Sequence, residues 1–338
     1  MKLAITICAT EGYCYALKSV LRAIKTNIEF ARDKFEEYSV ILVGDGNLNT
    51  YSEYLKDLFG ANYTLVIKDW KEHKNYEKDA QRVIAEMRSE AFAESIKQGA
   101  NWCWSIDSDV IPPDNALLCS LQMLEFDNGY YSIACCPYPS QGGGPFLTGF
   151  GSPTRHIHSN FDLKELEIPK EKKKELDDLE KEIKEKPSKE LFEKKGNLLK
   201  EIEKTCPPKF GGNIWKIIAN FGWKRRGWFD YAYPAIGRGA IVPTDWCGFG
   251  CTLMNRNALL AANFSGYEGK GTEDLYIIWN RWYPRGYKLC SIPHCPCDHI
   301  IRRKEGEEMK YIQIHSFHEQ NPEYFGHLRR SEREFFEF

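Results

Sequence analysis

From Lys2 to about residue 137, short β-rich runs alternate with segments of helical periodicity, and that alternation restricts the chain to a layered α/β fold. Leu3-Ala4-Ile5-Thr6-Ile7-Cys8 reads as a first strand, after which Ala16, Val20, Ile24 and Ile28 recur at helical spacing. Tyr38 to Val43 is a second strand that ends at Gly44-Asp45-Gly46. Residues 51–59 are helical, Tyr63 to Ile67 form a third strand, and residues 80–98 make a long amphipathic helix stopped by Gly99. Trp102 to Ile106 is the next strand. Strands joined through helices run parallel, and a parallel sheet offers its ligand sites at the strands' C-terminal ends.

This first part is Rossmann-like. The composition changes at about residue 162: between Asp162 and Lys204, 27 of 43 positions are charged, which marks a solvated insertion rather than more sheet. Leu176, Leu179 and Ile183 outline one helix of it, and Leu191, Leu198, Leu199 and Ile202 a second, with Pro187-Ser188 between them as a turn and N-cap. An inserted helical hairpin is the expectation, and a dimerising coiled coil the sharper alternative. Residues 213–236 are rich in aromatic side chains around Lys224-Arg225-Arg226, which suits sugar stacking, a phosphorylated or nucleic-acid acceptor, or ordinary core. Strand and helix patterns return over residues 249–291, and from about Ile300 the pattern is mixed, with basic clusters.

With 338 residues, 42% of them hydrophobic, the chain can bury a sizeable core. A net charge of −2 excludes nucleic-acid binding through global charge, so a nucleic-acid acceptor is not favoured. No apolar run approaches the roughly 20 residues that span a bilayer, and the N-terminus lacks a signal-peptide core. Twelve cysteines without a secretion signal fit a reducing, cytoplasmic setting, and Cys8, Cys103, Cys135 and Cys136 sit in apolar runs where thiols pack as small hydrophobes.

The strongest chemical signal is the apolar strand that runs into Asp107-Ser108-Asp109. Two carboxylates one residue apart at a sheet edge repel unless a cation or donors compensate, and hard oxygen ligands suit Mg²⁺ or Mn²⁺. The same residues also fit a strand-end Asx turn with a helix cap.

Haloacid-dehalogenase phosphatases place such a pair after a strand, but they need a second acidic pair downstream, and the Gly-Asp-Gly of this chain lies upstream. The nucleotide-sugar glycosyltransferases of the GT-A fold offer a longer resemblance. Val43-Gly44-Asp45-Gly46 resembles their second-strand signature, and Met87-Arg88-Ser89-Glu90-Ala91 followed by Asn101-Trp102 resembles their helix leading to the Asp-x-Asp metal motif. Residues 246–256, Trp246-Cys247-Gly248-Phe249-Gly250 and onward, resemble their acceptor-side glycine-rich strand. Gly271-Thr272-Glu273-Asp274-Leu275, then Gly286-Tyr287-Lys288-Leu289, resembles the Glu-Asp helix and following strand of inverting, family-2-like members. The resemblance runs in order over residues 2–300 outside the insertion. Departures are Thr10-Glu11-Gly12 after the first strand and the Gln141-Gly142-Gly143-Gly144-Pro145 loop, read as a lid.

The resemblance implies a mostly parallel GT-A sheet flanked by helices, divided into a nucleotide-sugar half (residues 1–137) and an acceptor and catalytic half (138–300). The hairpin (162–204) and a C-terminal extension (301–338) are then additions. It implies metal-dependent, inverting transfer of a sugar, from a UDP-sugar by preference, to a hydroxyl of a glycan, protein or modified nucleobase, with Mn²⁺ or Mg²⁺ as cofactor. Asp109 would ligate the metal, with Asp107 and Ser108 at the ribose or metal. Asp45, Arg88 and the backbone of Ala9 and Thr10 would hold the nucleotide. Asp274 would be the general base, Glu273 would orient the acceptor, and Trp246 and Gly248 would line its site. Asp45 also fits a turn, Arg88 a solvated helix position, and Thr272-Glu273-Asp274 a helix cap with acids on its dipole. Arg302 and Arg303 suit either the diphosphate or surface charge. His299 is the expected third metal ligand, with His294, His315 and His318 as rivals. Alternatively, Cys290, Cys295, Cys297 and His299 form a structural zinc site. A nucleotidyltransferase of similar architecture and a non-catalytic sugar- or nucleotide-binding module are the alternatives to transfer. The hairpin offers a route to a homo-oligomer.

Overall fold

In the computed structural model, the described residues are 1–70, 80–125, 129–139, 147–148, 164–166, 169–205, 208–210, 242–244, 247–269, 272–292, 294–305 and 308–314. Four parallel strands form the heart of an eight-stranded sheet: β1 (Lys2–Ala9), β2 (Glu37–Gly44), β3 (Tyr63–Ile67) and β4 (Trp102–Asp107). Leu3, Ile5, Ile7, Val40 and Leu42 are fully buried, the near-continuous apolar signature of strands covered on both faces. α1 (Leu17–Phe30), α2 (Ser52–Phe59) and α3 (Ala80–Lys97) connect them, and α4 (Ala116–Glu125) follows a two-residue strand, β5 (Val110–Ile111). Asn27 fastens α1 to α4: its amide donates to the Ala23 and Pro113 carbonyls, and its Oδ1 accepts the Leu117 N–H.

The sheet is completed by β6 (Ile133–Cys135), β11 (Val242–Thr244), β12 (Cys251–Asn255) and β13 (Leu289–Ser291), in the order β11-β13-β6-β12-β4-β1-β2-β3. β12 runs antiparallel to both neighbours, β4 and β6, and leads into a short helix, α7 (Arg256–Ala261), while β13 is parallel to β6. The result is a mixed, mostly parallel sheet flanked by helices, the Rossmann-like GT-A arrangement. Short pairs β7 (Tyr138–Pro139) with β8 (Leu147–Thr148) and β9 (Lys164–Leu166) with β10 (Pro208–Phe210) lie outside the main sheet.

Backbone packing separates two units, Met1–Gly151 with Arg225–Phe338, and Ser152–Lys224. The second contains the expected charged hairpin: α5 (Lys170–Glu185) and α6 (Lys189–Thr205) pack through buried Leu179, Leu198 and Ile202 with Leu176 and Leu191. Lys172–Glu201 and Lys195–Glu180 pair across it, and the Ser188 hydroxyl accepts the Leu191 N–H as the N-cap of α6. Leu199, expected on the apolar stripe, is more than a third exposed.

The C-terminal stretch read as mixed is an antiparallel ribbon, β14 (Asp298–Glu305) with β15 (Glu308–Ile314), and β14 also pairs with β5. In that register His299 faces Val110, which sets the histidine beside Asp109. The functional segments of the sequence expectation that fall outside the described residues are 141–145, 213–236, Trp246, Gly271, His315 and His318.

Candidate active site

The parallel register aligns Ala9 with Gly44 and Cys8 with Asp107, so β1, β2 and β4 end together and their following residues share one edge. The approach is tight. A Cβ on Gly44 would stand 1.8 Å from the Ala9 carbonyl oxygen, so this position in the Gly-Asp-Gly turn must be glycine. Asp45 follows it as a buried N-cap whose carboxylate accepts the Asn47 N–H at 3.2 Å. On the other side Thr10 is nearly buried, and its carbonyl accepts the Tyr13 N–H and the Cys14 thiol.

β12 enters from the opposite direction, and the Asp107 N–H donates to the Gly250 carbonyl at 3.0 Å. A Cβ on Gly250 would meet the Tyr138 hydroxyl at 2.6 Å and Asp107 Oδ2 at 2.8 Å, so the glycine leaves room for this carboxylate. Gly248, two residues earlier, is buried and its carbonyl accepts the Thr252 hydroxyl.

Arg88 joins the two acidic motifs. It lies on the buried stripe of α3 with Met87 and Ala91 and is 4% exposed, which removes the solvated-helix reading. Its Nη2 bonds Asp107, its Nη1 donates to the Ser105 hydroxyl at 2.9 Å, and its Nε donates to Glu273 at 3.0 Å. The guanidinium also sits over the Phe249 ring, 5.3 Å from its centre. Burial works against the charge, but Asp107 and Glu273 more than compensate and hold Arg88 protonated.

Glu273 and Asp274 open a short helix, α8 (Glu273–Ile277), and both are buried. Asp274 accepts a hydrogen bond from the Thr272 hydroxyl and one from the Leu275 N–H at 2.6 Å. Burial, and then the neighbouring Glu273 carboxylate, lift Asp274 to about 7, against the pull of Thr272 and Arg88. Burial likewise raises Glu273, with Arg88 opposing.

Asp109 and His299 meet at the same edge. His299 Nε2 lies 3.4 Å from Asp109 Oδ2, and both side chains are less than a tenth exposed. Ligand bonds of about 2.1 Å at right angles place neighbouring donors about 3 Å apart, so this oxygen and nitrogen fit one divalent cation. Ser108 is buried between the two aspartates, and the Asp107 side chain is 30% exposed. Tyr15 was not singled out by the sequence. Its hydroxyl bonds Asp109 Oδ2 and the Ile300 carbonyl, each at 3.1 Å, and burial followed by Asp109 raises its pKa. Arg302 is exposed, donates to the Gly12 carbonyl and stacks on Tyr13.

The zinc ligand set read from the sequence is not brought together. His299 is on Asp109, and the Cys290 thiol donates to the Ile133 carbonyl. Cys297 instead lies with Cys136 and Cys251, and Cys295 with Cys119 and His294. Cys136 is buried in the apolar core as expected, with its thiol beside those of Cys251 and Cys297.

No family model matches the chain, and no curated protein matches it. Among solved structures it is similar to A197 from STIV, at 12% sequence identity over 99% of this chain and 100% of that chain, with a TM-score of 0.38. It is also similar to GalNAc-T7 with UDP, GalNAc and Mn²⁺, at 12% identity over 90% of this chain and 45% of that one, with a TM-score of 0.46. For mannosyl-3-phosphoglycerate synthase from Rubrobacter xylanophilus the identity is 12%, the shares are 48% and 49%, and the TM-score is 0.29. The chain thus spans about half, or less, of the last two proteins. No helix among the described residues is long and apolar enough to cross a membrane.

Proposed function

We propose that the protein is a divalent-metal-dependent glycosyltransferase that moves a sugar from a nucleotide-sugar donor, a UDP-sugar by preference, to an acceptor hydroxyl with inversion. The observation that carries this reading is the buried Arg88 bridge: one guanidinium holds Asp107, at the end of β4, and Glu273, at the start of α8, so both acidic motifs belong to one site. A sheet edge with these two motifs, and a carboxyl tuned to about 7 beside them, suits donor binding and acceptor deprotonation in one place.

Asp109 and His299 would hold Mn²⁺ or Mg²⁺, which when bound neutralises the charge developing on the leaving diphosphate. Tyr15 fixes the Asp109 carboxylate in place. Asp45 and the backbone of Ala9 and Thr10 take the nucleoside, with Asp107 and Ser108 at the ribose. Arg88 gives its Nε and both terminal nitrogens to Glu273, Ser105 and Asp107, so it acts on the nucleotide by positioning Asp107. Asp274 takes the proton of the attacking hydroxyl. Its raised pKa keeps it a useful base near neutral pH, where a carboxylate of ordinary pKa would accept a proton poorly. Glu273, held by Arg88, orients the acceptor, and Gly248 and Trp246 line the acceptor side.

Incubating the full chain with a panel of UDP- and GDP-sugars, Mn²⁺ and mixed acceptor sugars, and measuring nucleotide release and product mass, tests this reading. Sugar added to an acceptor by wild type and not by Asp274→Asn is the expected result. Release of pyrophosphate with formation of a nucleotide-sugar would instead favour a nucleotidyltransferase. Nucleotide binding with no turnover of any donor would favour a binding module.

A further inference from the structure

The carboxylate site leaves a second cluster unused. Cys119 on α4, Cys136 just after β6, Cys251 at the start of β12, and His294, Cys295 and Cys297 in the turn before β14 converge from four separate parts of the chain. The ligand atoms of Cys136, Cys251 and Cys297 all lie within 4.8 Å of one another, and so do those of Cys119, His294 and Cys295. The two groups adjoin: Cys136 interacts with Cys295 as well as with Cys251 and Cys297, and Cys119 interacts with Cys295 and His294. All five cysteines are free thiols.

The backbone holds this convergence in place. The Cys136 N–H donates to the Cys251 carbonyl at 2.9 Å, the Cys297 N–H to the Pro137 carbonyl at 2.8 Å, and the Ile292 N–H to the Cys135 carbonyl at 2.8 Å. Cys136, Cys251, Cys295 and Cys297 are at most 1% exposed. Neutral thiols are weak donors and weak acceptors, so gathering four of them gains little from hydrogen bonding, and alanine or valine would fill the same space. Thiolates around a tetrahedral ion are different. With metal–sulfur bonds of about 2.3 Å, the sulfurs stand about 3.8 Å apart, a spacing compatible with that of Cys136, Cys251 and Cys297.

We propose that Cys136, Cys251 and Cys297 bind one zinc ion, with Cys295 turning from the neighbouring group to close a four-thiolate site distinct from the carboxylate site of Asp109. Binding releases one proton per thiol to solvent and forms four zinc–sulfur bonds, leaving an assembly of two net negative charges with no change of oxidation state. Donors stand ready for that charge. The Ser120 hydroxyl is 3.6 Å from the Cys136 sulfur, and the buried Trp104 N–H has no partner in hydrogen-bonding geometry among the described residues. Metal-bound sulfurs with such donors are better satisfied than four buried neutral thiols.

The ion would fasten the turn before β14 to β6 and β12. Cys297 precedes His299 by two residues, so the zinc would fix the strand that presents His299 to Asp109. The ligand assignment itself does not depend on the glycosyltransferase reading.

The test is the metal content of the full chain, purified with zinc present and dialysed against EDTA, measured by mass spectrometry. About one zinc per chain is expected to survive, and to be released by a mercurial that titrates the thiols. Cys136→Ser and Cys297→Ser should each lower bound zinc at least about tenfold, while Cys290→Ser and Asp109→Ala should keep it. To separate loss of metal from loss of folding in the serine variants, the wild type carries a second readout: metal-free protein refolded with Co²⁺ should show an intense thiolate-to-cobalt charge-transfer band. A folded wild type without zinc and without that band would overturn the proposal. So would full zinc content in the Cys136→Ser/Cys297→Ser double variant. Loss of zinc in Asp109→Ala would place the metal at the carboxylates instead. Sugar transfer lost with zinc intact would count against the function above and leave this site standing.

Discussion

At the C-terminal ends of β1, β2 and β4 two carboxylates of the site are held by one internal cation, whereas around β6 and β12 thiols gather with no charged partner among them. Asp107 and Glu273 share Arg88, and Ser105 takes the third arm of the guanidinium. Cys136, by contrast, is surrounded by Cys251, Cys295 and Cys297. Buried charge needs a partner of opposite sign or strong donors. The first region carries its counter-charge in the sequence, while the second gathers groups that become good partners only around a thiophilic ion. One region is therefore built to stand ready for a polar ligand, and the other to be closed by a metal.

The sharpest way to break the first half of this comparison is Asp274→Asn. It keeps the shape of the side chain and removes the base, so transfer should fall by about 10²–10⁴-fold with nucleotide affinity nearly unchanged, read from nucleotide-release kinetics and calorimetry. Next in size is Arg88→Met, which strands two carboxylates without their cation. Urea unfolding should show a loss of about 3–5 kcal/mol, and adding Glu273→Gln to the same chain should recover part of it. Full stability in Arg88→Met would show that the bridge does not hold the site together.

Gly250→Ala pushes a methyl group toward the Tyr138 hydroxyl and Asp107, so it should cost about 1–3 kcal/mol in unfolding experiments and weaken metal-dependent nucleotide binding. The pH dependence of stability comes next. Asp274 is lifted to about 7 in the folded chain, while an unfolded aspartate titrates at about 3.9, so between these values the native state binds more protons than the unfolded one. Its contribution to stability is therefore full below about pH 4 and is lost as pH rises to about 7, and Glu273 adds in the same direction. Melting temperatures from pH 4 to 8 should show a smaller decline in Asp274→Asn than in wild type. The smallest effect belongs to the hairpin: Phe192 is 56% exposed, and Phe192→Ser should change stability by less than about 0.5 kcal/mol.

The same contrast explains what could be read in advance. β1 to β4 were legible because each is an apolar run with helical periodicity between neighbours, and Asp107 and Asp109 because they end such a run abruptly. Arg88 carried a signal too, a cation on the apolar stripe of α3 between Met87 and Ala91. The thiol cluster was legible only in Cys295 and Cys297, which were read together with Cys290 and His299. Its members come from four distant segments, the Cys295-Pro296-Cys297 spacing pointed to neighbours in sequence, and Cys136 looked like a packed small residue. The ribbon β14–β15 was hidden by Arg302-Arg303-Lys304-Glu305, whose charge resembles a surface loop. Tyr15 gave no signal, because its partner Asp109 is 94 residues away and only the fold brings them together.

The most direct measurement is calorimetric titration of UDP and of GDP into wild type and Asp109→Ala, each with Mn²⁺ and with EDTA. Binding of UDP that requires Mn²⁺ and disappears in Asp109→Ala is the expected result. No binding of either nucleotide by folded wild type, or binding that survives both EDTA and the Asp109→Ala substitution, would contradict a metal-dependent donor site at the end of β4.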